Sequence, residues 1–330
     1  MRVLQVGLGR FGQSHLRCWR KLAVDLRVSD RDPSRLSALE EPASSDWRTL
    51  LDDAECVDVV TSAPSHGQIV RLALEHGKHV LVEKPITPSA DEGFQLATLA
   101  RERGCVLQVG HVFRFAPEAR VVERAVRSGA IGRVRYALAH FMSFKRPRAD
   151  GGLAISDGVH LVDLVSWILG KQPRAVTAVL RDYLDRGMDD VAVLALDYGE
   201  ESALVEAACF PPEPRRDLQL LGTEGALTCD FLADADRVKL YGHLHEPDTQ
   251  GGWRASEGEV RVLPAVGEEP LLAELRAFLE ACKTGQPAPG AADGVAGAAA
   301  VAVIEAAERS AREGRRVEVE LGSVPRGEKA

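Results

Sequence analysis

The sequence predicts an α/β chain, with a parallel, helix-covered sheet first and a second domain of mostly antiparallel strands after it. Three observations predict this. Short β-type runs alternate with helical periodicity from Val3 to about Phe115. A glycine loop, Gly7-Leu8-Gly9-Arg10-Phe11-Gly12, sits directly between the first strand-like run and the first helical stretch. Beyond Pro117, β-type runs follow one another with only turns between them, which means antiparallel pairing. A chain of 330 residues exceeds what one core usually serves, so two domains are expected, over residues 1–117 and 118–330.

In order, Val3 to Val6 reads as strand one, and the helix after Gly12 carries Leu16, Trp19 and Leu22 at helical spacing. Asp25 to Asp30 reads as strand two and ends in the turn Asp30-Arg31-Asp32-Pro33. Trp47 to Leu51 precedes strand three, Val57 to Thr61, which stops at Ser62-Ala63-Pro64-Ser65-His66. Helices are expected from about Gln68 to Glu75 and from Ala90 to Arg103, either side of the apolar run His79-Val80-Leu81-Val82. Val106 to Val109 closes this half and runs into Gly110-His111-Val112-Phe113-Arg114-Phe115. A helix (about Glu118 to Ser128) and the turn Gly129-Ala130-Ile131-Gly132 then lead to a strand from Val134 to Met142. Gly151-Gly152 opens a loop into a helix from Val159 to Leu169. Strands are expected next at Ala175–Arg181, Val191–Asp197, Ala203–Phe210, Leu218–Leu221, Ala226–Asp230, Val238–Tyr241 and Glu259–Leu263. Helices near Leu271–Thr284 and Ala291–Glu313 close the chain, and the Pro/Gly/Ala-rich stretch Gln286 to Gly297 reads as a connection.

Apolar residues at 45% and charged residues at 27% are the balance of a soluble globular protein. A net charge of −8 argues against nucleic acid as a partner and offers nothing to an anionic membrane. Cys18, Cys56, Cys105, Cys209, Cys229 and Cys282 lie far apart, without a C-x-x-C pair or metal-ligand spacing, so reduced thiols are expected. The glycine loop begins almost at Met1, leaving no room for a signal peptide, and no apolar run is long enough to span a membrane. A cytoplasmic location is expected.

The glycine loop in this context is a dinucleotide fingerprint. Gly7 permits the tight turn, Gly9 lets the backbone approach a pyrophosphate, and Gly12 allows close helix–strand packing. The following helix offers free N–H groups to phosphate. Asp30 ends strand two, where a carboxylate accepts hydrogen bonds from ribose hydroxyls and repels a 2′-phosphate; this favours NAD. It is equally placed to cap the turn before Pro33. Arg31 beside it could pair with a 2′-phosphate, so NADP stays open. Glu83-Lys84-Pro85 falls at the end of the Val80 strand, where such sheets hold ligands, and Lys84 reads as a chemical group.

The glycine loop, Pro64 and His66, Glu83-Lys84-Pro85, and Gly158-Val159-His160 with Asp163 together resemble the Gfo/Idh/MocA family, from Met1 to about Val319. That resemblance implies a Rossmann domain followed by an α+β domain on an open, largely antiparallel sheet whose exposed face pairs subunits as a homodimer or homotetramer. It implies cofactor contacts from Gly7, Gly9, Arg10, Phe11, Gly12, Asp30, Arg31, Ser62, Pro64, His66, Glu83 and Lys84. His66 reads either as a neighbour of the nicotinamide or as a loop hydrogen-bonder.

The implied activity moves hydride between NAD and a ring hydroxyl or ketone of a sugar, polyol or nucleotide sugar. His160 is the candidate acid–base group, because imidazole both takes and returns a proton near neutral pH. Lys84 is the candidate stabiliser of the alkoxide. Where the family carries an aspartate four residues before the histidine, this chain has Ser156, and Asp157 stands one place later as a candidate orienter. Asp163 is a second candidate, on the substrate side. His111 and Arg114 are expected to touch substrate. The stretch Lys145-Arg146-Pro147-Arg148 suits phosphate if it is not simply a solvated loop. His243-Leu244-His245 reads as a surface turn and not a metal site. Two other readings remain: a glycosidase working by transient oxidation and elimination, and a non-catalytic NAD- or sugar-sensing protein.

Overall fold

The computed structural model describes residues 1–322. It divides into two compact units, Met1–Phe115 with Glu268–Ala302 and Leu321–Gly322, and Ala116–Gly267 with Val303–Glu320. This differs from a single cut after residue 117. Glu268–Ala302, expected with the second domain, clusters with the first because the Pro270–Thr284 helix buries Leu271, Leu275 and Phe278 in one core with Trp19, Leu26 and Val106. Residues 323–330 of the expected second domain lie outside the described residues.

The first unit is built on β1 (Arg2–Val6), β2 (Asp25–Ser29), β3 (Ala43–Ser44), β4 (Cys56–Val59), β5 (His79–Glu83) and β6 (Leu107–Gly110), all parallel, in the order β6-β5-β4-β1-β2-β3. Helices α1 (Arg10–Lys21), α2 (Arg48–Leu51), α3 (His66–Glu75) and α4 (Ala90–Glu102) connect these strands. Val3, Leu4, Val57, Val59, Val80, Leu81 and Val82 are all fully buried, as a parallel sheet covered on both faces requires. The chain winds outward from β1 through β2 and then restarts at β4 on the other side. That switch point opens the crevice in which such sheets hold ligands. The connection expected between the last two helices contributes a strand of its own: Ala292–Asp293 pairs antiparallel with β6, opposite Val109 and Gln108.

The second unit follows α5 (Pro117–Arg127) with β7 (Val134–Met142), α6 (Val159–Leu169), β8 (Ala175–Arg181), β9 (Val191–Asp197), β10 (Ser202–Ala208), β11 (Arg215–Gly222), β12 (Ala226–Asp230), β13 (Val238–Tyr241), β14 (Leu244–Pro247), β15 (Trp253–Ser256) and β16 (Val260–Leu263). All but β14 and β15 join one sheet, ordered β16-β13-β12-β11-β7-β10-β9-β8, with Val317–Glu318 added beyond β8. Pairing is antiparallel except between β7 and β10. The first strand of the unit takes a central place, so its neighbours come from later in the chain and one of them runs the same way. Alternation gives the sheet one apolar face (Ala137, Ala139, Ala203, Val205, Leu218, Leu220) and one mixed face with Thr177, Val179, Ala195 and Gln219. Of the turn expected at His243-Leu244-His245, Leu244 and His245 instead begin β14, with His245 opposite Ala255 of β15. Among the described residues no helix is long and apolar enough to cross a membrane.

Candidate active site

The glycine loop turns where β1 ends. Gly7 has φ +108°, and a Cβ there would meet the Val60 carbonyl oxygen at 2.4 Å. A Cβ on Gly12 would meet the Gly7 oxygen at 2.3 Å, so α1 can start this close to the strand only with glycine there. Gln5, buried, braces both sides of the turn: its amide donates to the carbonyls of Gly7 (2.9 Å) and Gly12 (2.8 Å). Nothing lies within 4 Å of where a Gly9 side chain would begin, and no side chain caps α1 at Gly9. Open space over a helix start with uncommitted N–H groups fits a pyrophosphate. Arg10 and Phe11 are exposed on the first turn of α1.

Asp30 is tied to this loop. Its Oδ2 accepts from the Leu8 backbone N–H at 2.7 Å, and its Oδ1 from that of Asp32 at 2.9 Å. The capping expectation for Asp30 is thus seen in its bond from Asp32, and the second oxygen ties it to the glycine loop. The guanidinium next to it is that of Arg35, at 3.2 Å, whereas Arg31 is exposed. Removing the carboxylate would leave Arg35 to meet a 2′-phosphate. Asp30→Ala is therefore expected to raise the NADP-to-NAD ratio of kcat/KM by roughly tenfold or more, the size of one charge-assisted hydrogen bond. An unchanged ratio in steady-state assays would remove Asp30 from the ribose.

At the end of β5, Lys84 is half-buried and joined to Pro85 by a cis peptide. Its backbone N–H donates to the Glu83 carboxylate at 3.2 Å. Glu83 Oε1 lies 3.4 Å from His15 Nε2, and His15 Nδ1 lies 2.9 Å from Asp58 Oδ2, which also accepts from the Trp19 indole at 2.6 Å. Burial alone would lower the His15 pKa, but the two carboxylates outweigh it and raise the pKa to about 10. The two carboxylates thus favour the protonated form of His15, which lies against Glu83, the residue before Lys84. Sequence reasoning missed His15. The signal was its place with Leu16 and Trp19 on the buried face of α1.

His66, expected among the cofactor contacts, holds backbone. Its Nδ1 is 2.8 Å from the Pro85 oxygen and its Nε2 is 3.1 Å from that of Thr61, and burial lowers its pKa. It ties the end of β4 to the Lys84 turn. Ser62 and Pro64 are exposed around the short turn before α3. His111 and Arg114 are both buried, and Arg114 donates to the Ala291 carbonyl at 3.3 Å.

In the second unit, one turn of π-helix, Ala154–Gly158, precedes α6 and carries Ser156 and Asp157. Asp157 forms an ion pair with Lys145. The residue expected to orient the imidazole thus pairs with an ammonium. The His160 ring lies parallel to that of Phe141, 6.3 Å between centroids at 10°. Asp163 is buried on α6. Arg148 is exposed and its Nε and Nη2 donate to the two oxygens of Asp150, at 2.8 Å each. Arg216 of β11, not singled out from the sequence, lies against Phe141. Among the described residues no group of three His, Cys, Asp or Glu side chains could hold a metal ion.

Comparison with known proteins agrees with this geometry. Residues 1–111 match the family model described as an oxidoreductase family with an NAD-binding Rossmann fold, and residues 119–228 match the GFO/IDH/MocA C-terminal domain. The dTDP-3,4-didehydro-2,6-dideoxy-alpha-D-glucose 3-reductase of Streptomyces violaceoruber is 31% identical over 87% of this chain and 84% of its own. The UDP-N-acetylglucosamine 3-dehydrogenase of Acidithiobacillus ferrooxidans is 27% identical over 90% of this chain and 93% of its own. Levoglucosan dehydrogenase, solved with NADH and levoglucosan, superimposes with a TM-score of 0.79 at 20% identity, over 97% of this chain and 99% of that one. Both domains, the fingerprint and its NAD-binding loop thus agree, and the chain belongs to the Gfo/Idh/MocA family of NAD(P)-dependent oxidoreductases.

Proposed function

We propose that this protein is a dehydrogenase or reductase that interconverts a ring hydroxyl and a ketone of a sugar, polyol or nucleotide sugar, with Lys84 and His160 acting on the reacting oxygen. The observation that carries this reading is Lys84 itself, a lysine at the carboxyl end of β5 whose preceding residue, Glu83, accepts its backbone N–H and lies 3.4 Å from the buried His15 of α1. NAD, when bound, supplies hydride acceptance or donation, which side chains cannot do. The loop from Gly7 to Gly12 and Asp30 hold the cofactor. Lys84 stabilises negative charge on the substrate oxygen as its proton leaves. His160 takes that proton in oxidation and returns it in reduction. Two relatives named for position 3 of a nucleotide-linked sugar support that carbon in that substrate class.

The test is a panel of free sugars, inositols, and UDP- and dTDP-sugars incubated with NAD⁺ and with NADH, followed by absorbance of the reduced nicotinamide. Cofactor reduction or oxidation that requires one member of the panel is expected. A protein that binds NAD and changes its redox state with none of them is not this enzyme.

A further inference from the structure

Arg216 occupies a position that a folded chain would not choose for stability. In β11 it stands opposite Phe141 of β7, and alternation puts it on the sheet face where Leu218 and Leu220 are buried. Its guanidinium carbon is 4.1 Å from the centre of the Phe141 ring. The same ring takes Lys145 Nζ at 4.6 Å and the parallel imidazole of His160. Three cationic or titratable groups are thus gathered round one aromatic ring, a favourable but weak form of compensation.

The charges there do not balance. Lys145 is neutralised by Asp157. Among the described residues, Arg216 has no carboxylate within 4.0 Å, and its Nε is buried without a hydrogen-bond acceptor. The nearby Asp157 charge acts on it only at a distance, and burial pushes the guanidinium pKa down. Arg216 is half-buried; drawing a cation even partly out of water without a partner has a cost, and side chains kept in that state mark functional positions. The neighbouring Asp217 does not help. It lies on the other face of the sheet, accepting from Arg215 and paired with His140 at 2.9 Å. Of Arg216, Lys145 and Asp157, two are positive and one is negative, so these three leave one positive charge over.

We propose that Arg216 is the recognition group of an anion-binding subsite beside His160, so that the sugar this enzyme acts on carries a carboxylate or a phosphate. The guanidinium presents a planar fork that matches either oxyanion through two parallel hydrogen bonds. Phe141 fixes the plane of that fork, and the substrate's negative group replaces the solvent that burial removed. The inference rests on the dehydrogenase reading for the identity of the ligand as a substrate, but not for the subsite.

The test therefore has two readouts. First, the NAD-loaded protein is titrated by calorimetry with inorganic phosphate, D-glucuronate, glucose 1-phosphate, UDP-glucose and neutral D-glucose. At least one anion is expected to bind more tightly than glucose, and Arg216→Gln to weaken it by roughly ten- to hundredfold. Arg216→Lys, which keeps the charge but loses the fork, should fall between the two. Glucuronate against the phosphates separates the carboxylate source from the phosphate source. Second, the same panel is assayed for turnover. A raised KM for an anionic substrate in Arg216→Gln, with NAD affinity unchanged, supports the subsite. Anion binding lost in Arg216→Gln but no turnover of any compound supports the subsite while removing the dehydrogenase reading. Turnover of a neutral sugar with the same KM in wild type and Arg216→Gln, or failure of every anion to bind, overturns the subsite and leaves the dehydrogenase reading standing.

Discussion

His160→Ala is expected to lower kcat by about 10²- to 10⁴-fold, the usual worth of a positioned acid–base group. Lys84→Ala is expected to cost a similar factor, about 10²- to 10³-fold, by removing charge stabilisation from the developing alkoxide. Neither change should alter NAD affinity appreciably, because the loop from Gly7 to Gly12, braced by Gln5 and tied to Asp30, makes the cofactor site independently of both side chains. The two losses should also differ in their response to pH. A general acid–base group shapes the pH profile of kcat, so His160→Ala should remove a limb of that profile. Lys84→Ala should lower the whole profile. Steady-state kinetics across pH, with NAD binding followed by nicotinamide fluorescence, would check both. Equal loss of cofactor binding in the two variants would contradict the assigned roles.

His15→Ala is expected to destabilise the protein by about 3–5 kcal/mol, because it leaves two carboxylates buried without their shared cation. His15 is fully buried between Asp58 and Glu83, and only the pair of carboxylates raises its pKa from 6.5 to about 10. A group bound more tightly to its proton in the folded state stabilises that state while the proton is present. The stabilisation is complete below pH 6.5, declines above it and is gone once pH passes about 10. Denaturant unfolding at pH 6 and pH 9.5 should therefore show wild type losing stability over that interval, and His15→Ala losing less. Because Glu83 accepts the Lys84 backbone N–H, the variant should also lose turnover while folded. A variant as stable as wild type at pH 6 would mean that His15 supplies no charge that holds Asp58 and Glu83.

Much of the second unit could be read from alternation alone. The bounds expected for Ala175–Arg181, Val191–Asp197, Ala226–Asp230 and Val238–Tyr241 are those of β8, β9, β12 and β13. Those strands have one buried and one mixed face, which writes a period of two into the residues. The Ala292–Asp293 strand has no such period, since two residues recruited by the edge of β6 need no pattern of their own. The parallel neighbours β7 and β10 were equally invisible, because pairing between distant segments leaves no local trace.

The same distinction runs through the site. Gly7 and Gly12 were legible because a tight turn and a close approach each demand glycine at a fixed spacing, and the apolar runs placed Asp30 and Lys84 at strand ends. The partners of His15 come from β4 and β5, and no spacing in α1 points to them. Arg216 was hidden by its neighbours, since Arg215-Arg216-Asp217 looks like solvated charge. Only its even spacing from Leu218 and Leu220 assigns it to the apolar face. The ion pair of Asp157 with Lys145 was not legible, since the two stand twelve residues apart and no local spacing points from one to the other.

The helix from Pro270 to Thr284 bears on how this protein could be cut, swapped or inherited. Its Leu271, Leu275 and Phe278 complete the core around Trp19. A fragment ending at Phe115 would bare that core to water and aggregate, although it contains the entire fingerprint. Exchange of nucleotide-binding halves between relatives therefore needs two crossovers, one near residue 116 and a second that brings the distal helix along with its partner.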